Sequence, residues 1–165
     1  KTATMSRRLK DVATLIEGGF ETKIFYTGRG GFDTHGNQGA GTGTHAGLLA
    51  EFDDAIGDFA QDMKDRGVWN DVVVVLLTEF GRRNFINGSD GLDHGHGFCE
   101  IVIGGKVKGG VYGPDLTEDD LNARYLSYAV DFRSIYKEIV KDHLGGDDGL
   151  VFPEPLEIST NLGLL

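Results

Sequence analysis

Three short segments of this chain carry acidic and imidazole side chains at spacings that could hold a metal ion. They are residues 31–35 (Gly-Phe-Asp-Thr-His), 78–83 (Thr-Glu-Phe-Gly-Arg-Arg) and 93–96 (Asp-His-Gly-His). The first two follow strand-like runs, and ligands of open α/β sheets bind beyond the carboxyl ends of strands. Carboxylate oxygens and imidazole nitrogens together suit borderline divalent cations. The sequence therefore predicts a metal-centred site, and hydrolysis is the reaction that such a site serves best.

The first segment places Asp33 and His35 two positions apart, just after a run predicted to be a strand. In extended backbone, residues i and i+2 point to the same side, so both side chains could reach one ion. The surrounding glycines favour this interpretation, because glycine lets the backbone approach a ligand closely. The alternative is an aspartate that caps a turn beside a solvated histidine.

The second segment begins after the most apolar run of the chain and contains Glu79 and Arg82. A carboxylate next to a buried strand is costly to desolvate unless a cation or hydrogen-bond donors accompany it. Glu79 is therefore either a metal ligand or the partner of Arg82 or Arg83 in an ion pair. Arg82 could instead hold an anionic substrate through bidentate hydrogen bonds.

The third segment is the densest cluster, with Asp93, His94 and His96 in four residues. The two histidines share a face if the backbone is extended, and Asp93 could orient an imidazole without contacting the ion. The glycines around them also allow a polar turn with no ligand. We predict that His94 is a metal ligand and that His96 supports it.

The elements that must position these residues alternate between helix and strand. Apolar spacing predicts helices over 3–17, 45–66 and 131–144, and strands over 23–27, 72–77 and 99–103. The continuous run at 72–77 is typical of a strand buried on both faces of a parallel sheet. We expect Leu49, Phe52, Ile56 and Phe59 of the long helix to pack against that sheet. The order of elements predicts an α/β fold.

The composition excludes several classes of partner. The 165 residues suit one domain over 1–165, and the formal charge of −10 argues against nucleic acid and anionic membrane surfaces. No apolar run is long enough to cross a membrane. The chain opens at Lys1 within a helical pattern, so we expect it to be the C-terminal part of a longer protein.

Five motifs in register resemble the C-terminal half of the DUF1501 proteins, a bacterial family of unknown function near the alkaline phosphatase and sulfatase superfamily. They are Gly-Phe-Asp-Thr-His, Thr-Glu-Phe-Gly-Arg-Arg, Gly-Leu-Asp-His-Gly, Gly-Gly-Lys-Val-Lys-Gly-Gly and Val-Asp-Phe-Arg-Ser-Ile-Tyr, between about residues 10 and 145. The resemblance implies a three-layer α/β/α sandwich with a mostly parallel sheet, here as a partial domain. It also implies an exported protein, periplasmic or extracellular.

The resemblance further implies a metal-dependent hydrolase of phosphate or sulfate esters. Asp33 matches a metal-binding aspartate, and His94 matches a late metal-binding histidine that precedes a glycine. Glu79 takes the place of an aspartate, but Phe80 stands where a histidine is expected. Asn37 likewise replaces a histidine, for which His35 could substitute. The Ser or Thr nucleophile of the superfamily would lie upstream of Lys1.

We therefore expect a divalent metal, with zinc, manganese and calcium as candidates, and an anionic small-molecule or polysaccharide ester as substrate. The predicted ligands are Asp33, His35, Glu79, His94 and His96, and Arg82 would stabilise charge on the transferred group. Two alternatives remain. The chain could be an exported, non-catalytic metal-binding or structural module, or its acidic groups could pair only with arginines.

Overall fold

The chain forms two compact units, each built from segments that are discontinuous in sequence. The computed structural model describes residues 4–156 and 161–165. Of these residues, 4–69 and 85–93 form the first unit, and 70–84, 94–156 and 161–165 form the second. The prediction of one domain over 1–165 stays a prediction.

Two helices pack together in the first unit, α1 (Thr4–Glu17) and α2 (Thr44–Asp65). Their contact buries apolar residues that recur at helical spacing, namely Met5, Leu9 and Ala13 of α1 and Leu48, Ala55, Phe59 and Met63 of α2. Glu51 of α2 fixes the pair by accepting hydrogen bonds from the backbone N–H of Met5 and from Arg29. The sequence predicted both helices to within one residue at each end.

The face that α2 buries differs from the predicted one. Phe59 is buried, and Phe52 and Ile56 are partly buried, but Leu49 is 52% exposed. The described part of the first unit contains no strand, and α2 packs on α1 within it. The predicted burial of Leu49 was therefore wrong, although the helix is amphipathic as expected, and its packing against a sheet stays a prediction.

The second unit contains four short strands in two antiparallel pairs. They are β1 (Val73–Leu76), β2 (Gly81–Arg82), β3 (His94–Gly95) and β4 (Ile101–Gly104). β1 pairs with β4, with Val73 opposite Gly104, and β2 pairs with β3, with Arg82 opposite His94. A 3₁₀ turn at Trp69–Asp71 leads into β1.

The predicted three-layer α/β/α sandwich with a mostly parallel sheet is wrong for the residues that the structure describes. Each sheet there has two strands, and both pairs are antiparallel. The apolar run at 72–77 does contain a strand, but Val73–Leu76 is half-buried, not covered on both faces. A hydrophobic run indicates a strand but does not show whether its neighbour is parallel or antiparallel. Here the neighbour is β4, which runs antiparallel to β1.

The strand predicted at 23–27 does not form. These residues carry no ladder hydrogen bonds in the described chain, although their exposure alternates as in a strand, with Ile24 and Tyr26 72% and 85% exposed. A strand needs a partner to satisfy its backbone groups, and none of the described segments supplies one here.

The remaining helices lie in the second unit and are mostly short. They are α3 (Glu118–Asn122), α4 (Phe132–Glu138) with a π-helical continuation at Ile139–His143, and α5 (Asp148–Val151). Asp131 caps α4 as predicted, accepting a hydrogen bond from the Arg133 N–H. The buried carboxylate of Glu138 accepts hydrogen bonds from the backbone N–H groups of Leu162, Gly163 and Leu164. These bonds hold residues 162–164 against α4.

The sequence predicted no segment that crosses a membrane. Among the helices of the described residues, none combines the length and the apolar character that a bilayer crossing requires. The helices agree with that prediction.

We expect Phe59→Ala to destabilise the chain by about 3–5 kcal/mol, because Phe59 is 6% exposed in the contact of α1 with α2. Leu49→Ala on the exposed face of the same helix is the matched control and should cost less than about 0.5 kcal/mol. Urea unfolding followed by circular dichroism measures both. Equal losses for the two variants would show that the buried face has been misassigned.

Candidate functional site

Two loops of the first unit pair along their backbones and bring two predicted motifs together. We call residues 31–38 the Asp33 loop and residues 85–93 the Asn87 loop. The backbone hydrogen bonds that join them run from Asn37 N to Ser89 O (2.9 Å), from Gln38 N to Asp90 O (2.9 Å) and from Leu92 N to Thr34 O (3.3 Å). Asn37 and Asp90 both have positive φ, 47° and 57°, which asparagine and aspartate tolerate better than most residues.

Gly91 lets the two loops approach closely. A Cβ atom added at Gly91 would lie 2.2 Å from the carbonyl carbon and 2.3 Å from the carbonyl oxygen of His35. Both are backbone atoms, so no side-chain rotation could relieve the overlap. Glycine is thus required here for contact between backbones, the use that the sequence analysis expected of the glycines near Asp33.

The imidazole of His35 lies between two carboxylates at the junction of these loops. Its Nε2 is 3.0 Å from Oδ1 of Asp33, and its Nδ1 is 3.5 Å from Oδ1 of Asp93. The side chains of Asp33, His35 and Asp93 are 63%, 46% and 38% exposed. Phe32, which precedes Asp33, packs the edge of its ring on Phe52 of α2 at 5.5 Å and so anchors the loop.

This arrangement fits a divalent cation at Asp33 and His35. Two ligand atoms about 2 Å from one ion at a tetrahedral angle lie about 3.3 Å apart, close to the Asp33–His35 separation. Histidines that bind metals usually donate their other ring N–H to a carboxylate, and Asp93 lies on that side of the ring. The exposure of the three side chains leaves room for further ligands from solvent.

Arg82 and His94 are cross-strand neighbours in the second unit. The ring of His94 stacks on Phe80 with centroids 3.7 Å apart, and the Arg82 guanidinium lies 5.6 Å from the centre of the same ring. Phe80, at the position where we expected a histidine, therefore contacts both side chains. An exposed imidazole and a guanidinium grouped in this way could bind an anion.

His96 and Glu79 have surroundings that differ from those expected of metal ligands. The ring of His96 lies parallel to that of Tyr125 at 4.5 Å, and Arg83 donates a hydrogen bond to the Tyr125 hydroxyl. Glu79 follows β1 as predicted, but it is exposed, so its carboxylate has no desolvation cost for a cation to offset. Metal ligation by His96 and by Glu79 stays a prediction.

The structure thus brings together part of the predicted set. Asp33 and His35 meet within the first unit, and their ligation of one ion stays a prediction. The second unit contains the other predicted residues, Glu79, Arg82, His94 and His96. A site that contains all the predicted residues remains a prediction. Sequence reasoning treated Asp93 only as a residue that could orient an imidazole, and it missed Asn87. The available signal was the Asn-Gly pair at 87–88, which is typical of a turn.

Glu100 is a second residue that sequence reasoning missed. It precedes β4, and its Oε2 is buried without a hydrogen-bond partner among the described residues. Burial raises the pKa of this carboxyl from 4.5 to about 7. Nearby Tyr136 has a raised pKa as well, first because it is buried and second because of the Glu100 charge. No pattern in the sequence distinguishes this glutamate from exposed ones.

Comparison with known proteins places the chain in an uncharacterised group. A family model described as "Protein of unknown function (DUF1501)" matches residues 13–156. No curated protein and no solved structure gives a significant match. The match covers the Asp33 loop, the Asn87 loop and the cluster of Arg82 with His94.

Gly91→Ala should push the two loops apart, because its methyl group would overlap the His35 backbone. We expect a loss of about 1–3 kcal/mol in the free energy of unfolding, typical of overpacking. Gly88→Ala in the same loop is the matched control, since a Cβ there meets nothing within 4 Å. Denaturant unfolding measures both variants. Indistinguishable midpoints for the two would contradict the close approach at Gly91.

Glu100→Gln should remove a pH dependence of stability. A carboxyl whose folded pKa is raised stabilises the fold below its unfolded pKa of 4.5 and loses that contribution as pH rises through about 7. Between pH 4.5 and pH 8, the free energy of unfolding of the wild type should therefore fall by roughly 1–2 kcal/mol relative to that of Glu100→Gln. This value is smaller than the full pKa shift implies, because the carboxyl is partly accessible to solvent. Thermal unfolding across this range tests the prediction. Parallel curves would show that Glu100 titrates normally.

Proposed function

The chain belongs to the DUF1501 family, and we propose that it is a metal-dependent hydrolase of phosphate or sulfate esters with a divalent-cation site. The single observation that carries the proposal is the position of His35 between two carboxylates. Asp33 lies 3.0 Å from one ring nitrogen, and Asp93 lies 3.5 Å from the other.

The residues at this site would have different roles in binding a cation. Asp33 and the Nε2 of His35 provide one oxygen and one nitrogen ligand on the same side of the ring. Asp93 faces Nδ1, where it would hold the proton on that nitrogen, so that Nε2 could ligate a cation together with Asp33. His94 follows Asp93 in the chain and stays a predicted further ligand, as do Glu79 and His96.

The openness of the site favours catalysis over a purely structural role. Structural metal sites are closed by protein ligands, whereas catalytic sites keep a position for water or substrate. All three side chains at the junction are more than one-third exposed. A bound divalent cation polarises an ester oxygen or lowers the pKa of water, which is the chemistry that hydrolysis of such esters requires.

The charge of the chain bears on the metal and the substrate. A formal charge of −10 attracts cations and repels anionic esters, so an anionic substrate needs a local positive centre. The cation and Arg82 would provide it, with Arg82 predicted to stabilise charge on the transferred group. A mixed oxygen and nitrogen donor set suits zinc or manganese, and calcium is the third candidate. The proposed substrate is an anionic small-molecule or polysaccharide ester, met outside the cytoplasm.

A cation that binds only the folded chain should stabilise it. At a free cation concentration of about one hundred times Kd, we expect the free energy of unfolding to rise by about 2.7 kcal/mol. The unfolding temperature should then lie about 5 °C or more above that of the chelator-treated chain. Asp33→Asn combined with His35→Ala should abolish this response. Asp53→Asn, which removes an exposed carboxylate of α2 in the same unit, is the control and should keep it. Titration calorimetry with zinc, manganese and calcium measures the affinity directly.

The hydrolase part of the proposal needs a separate readout. When loaded with metal, the protein should hydrolyse p-nitrophenyl phosphate or p-nitrophenyl sulfate, and Asp33→Asn should lower the rate by about 100-fold or more. Tight metal binding without hydrolysis of either ester would favour the non-catalytic metal-binding module. A wild-type chain that gives no response to any of the three metals would refute the cation site itself.

A further inference from the structure

Asn87 makes hydrogen bonds with both halves of its side-chain amide. Its Nδ2 donates to the backbone oxygen of His35 and to Oδ1 of Asp93, each at 2.9 Å. Its Oδ1 accepts from the backbone N–H groups of Ser89 at 2.8 Å and Gly91 at 3.1 Å. Its own N–H donates to the backbone oxygen of Gly91 at 2.9 Å. One side chain therefore links the Asp33 loop, the Asn87 loop and a carboxylate of the site.

The two halves of the amide serve different parts of the molecule. The oxygen closes the turn at 87–91 by satisfying two backbone donors, which is a local structural role. The nitrogen reaches across to His35 and holds the Asp93 oxygen that faces the imidazole. Because the turn needs only the oxygen, the nitrogen is free to act on the site.

We infer that Asn87 is the positioning residue of the cation site, setting the orientation of His35 through its backbone and through Asp93. This inference rests on the proposed function. Asn87 does not itself contact the cation in this scheme. Its two donated hydrogen bonds fix the His35 carbonyl and the Asp93 carboxylate relative to each other, and the imidazole lies between them. Partners of this kind typically contribute 10–100-fold to metal affinity.

The substitution Asn87→Asp separates the two roles. It keeps an oxygen for the Ser89 and Gly91 N–H groups, and it replaces the donor with a second acceptor that repels Asp93 and the His35 carbonyl. The added negative charge would by itself attract a cation. A loss of affinity must therefore come from lost orientation.

The matched control is Gln61→Glu. Gln61 lies on α2 in the same unit, is exposed, and donates its amide to Oδ1 of Asp65 at 2.7 Å. The change makes the same amide-to-carboxylate replacement next to an aspartate, away from the Asp33 and Asn87 loops. It measures the effect of one added charge on metal affinity.

Titration of the wild type and the two variants with zinc chloride tests the inference. We expect Asn87→Asp to weaken zinc binding 10–100-fold, and Gln61→Glu to leave it within twofold. The unfolding temperature without metal should fall less in Asn87→Asp than in Asn87→Ala, because the turn keeps its acceptor in Asn87→Asp. Asn87→Ala, which loses both halves, should lower both that temperature and the affinity.

The ring nitrogens of His35 provide a readout that a purely structural role would not change. In the zinc-bound wild type, long-range ¹H–¹⁵N spectra should show a protonated Nδ1 and a metal-bound Nε2. In Asn87→Asp at saturating zinc, the proton on Nδ1 should be less strongly hydrogen-bonded, with a shifted ¹⁵N signal. Equal or tighter zinc binding in Asn87→Asp, or an unchanged ring spectrum, would overturn the inference. Absence of zinc binding in the wild type would instead refute the proposed function.

Discussion

The backbone pairing of the Asp33 loop with the Asn87 loop is the interaction on which the candidate site depends. The two segments are about fifty residues apart in sequence, and three backbone hydrogen bonds hold them together. The close approach at Gly91, where any side chain would overlap the backbone of His35, makes this pairing specific. Asp33, His35 and Asp93 gain their geometry from that contact, since loop backbone without such partners would not hold three exposed side chains in one arrangement.

The site combines a rigid backbone with exposed side chains. The backbone of the two loops is fixed by hydrogen bonds and by Phe32 against Phe52, whereas the carboxylates and the imidazole reach solvent. Such a combination suits an ion that must exchange ligands with water or substrate. Asn87 connects the two features because one half of its amide belongs to the turn and the other half belongs to the site.

The second unit shows how the same kinds of residue take other roles in other surroundings. His94 and Arg82 meet across a short antiparallel pair and flank Phe80, and His96 lies on Tyr125. Glu100, which precedes β4, is partly buried and its pKa is raised to about 7, while Glu79, which follows β1, is exposed. Residue type alone did not distinguish these environments, because burial depends on what packs over each strand end.

The sequence by itself determined the elements whose signals are local. Helical spacing with glycine or aspartate at the ends located α1, α2 and α4, and the spacing of Asp33 and His35 indicated that both side chains could reach one ion. Tertiary structure alone decided the rest. Segments distant in sequence decide the direction of the β1–β4 pairing and the roles of Asn87 and Asp93. They also decide that 23–27 has no partner strand among the described residues. Strand pairing and loop contact are non-local, and a hydrophobic run or a turn motif carries no information about which distant segment will satisfy its backbone groups.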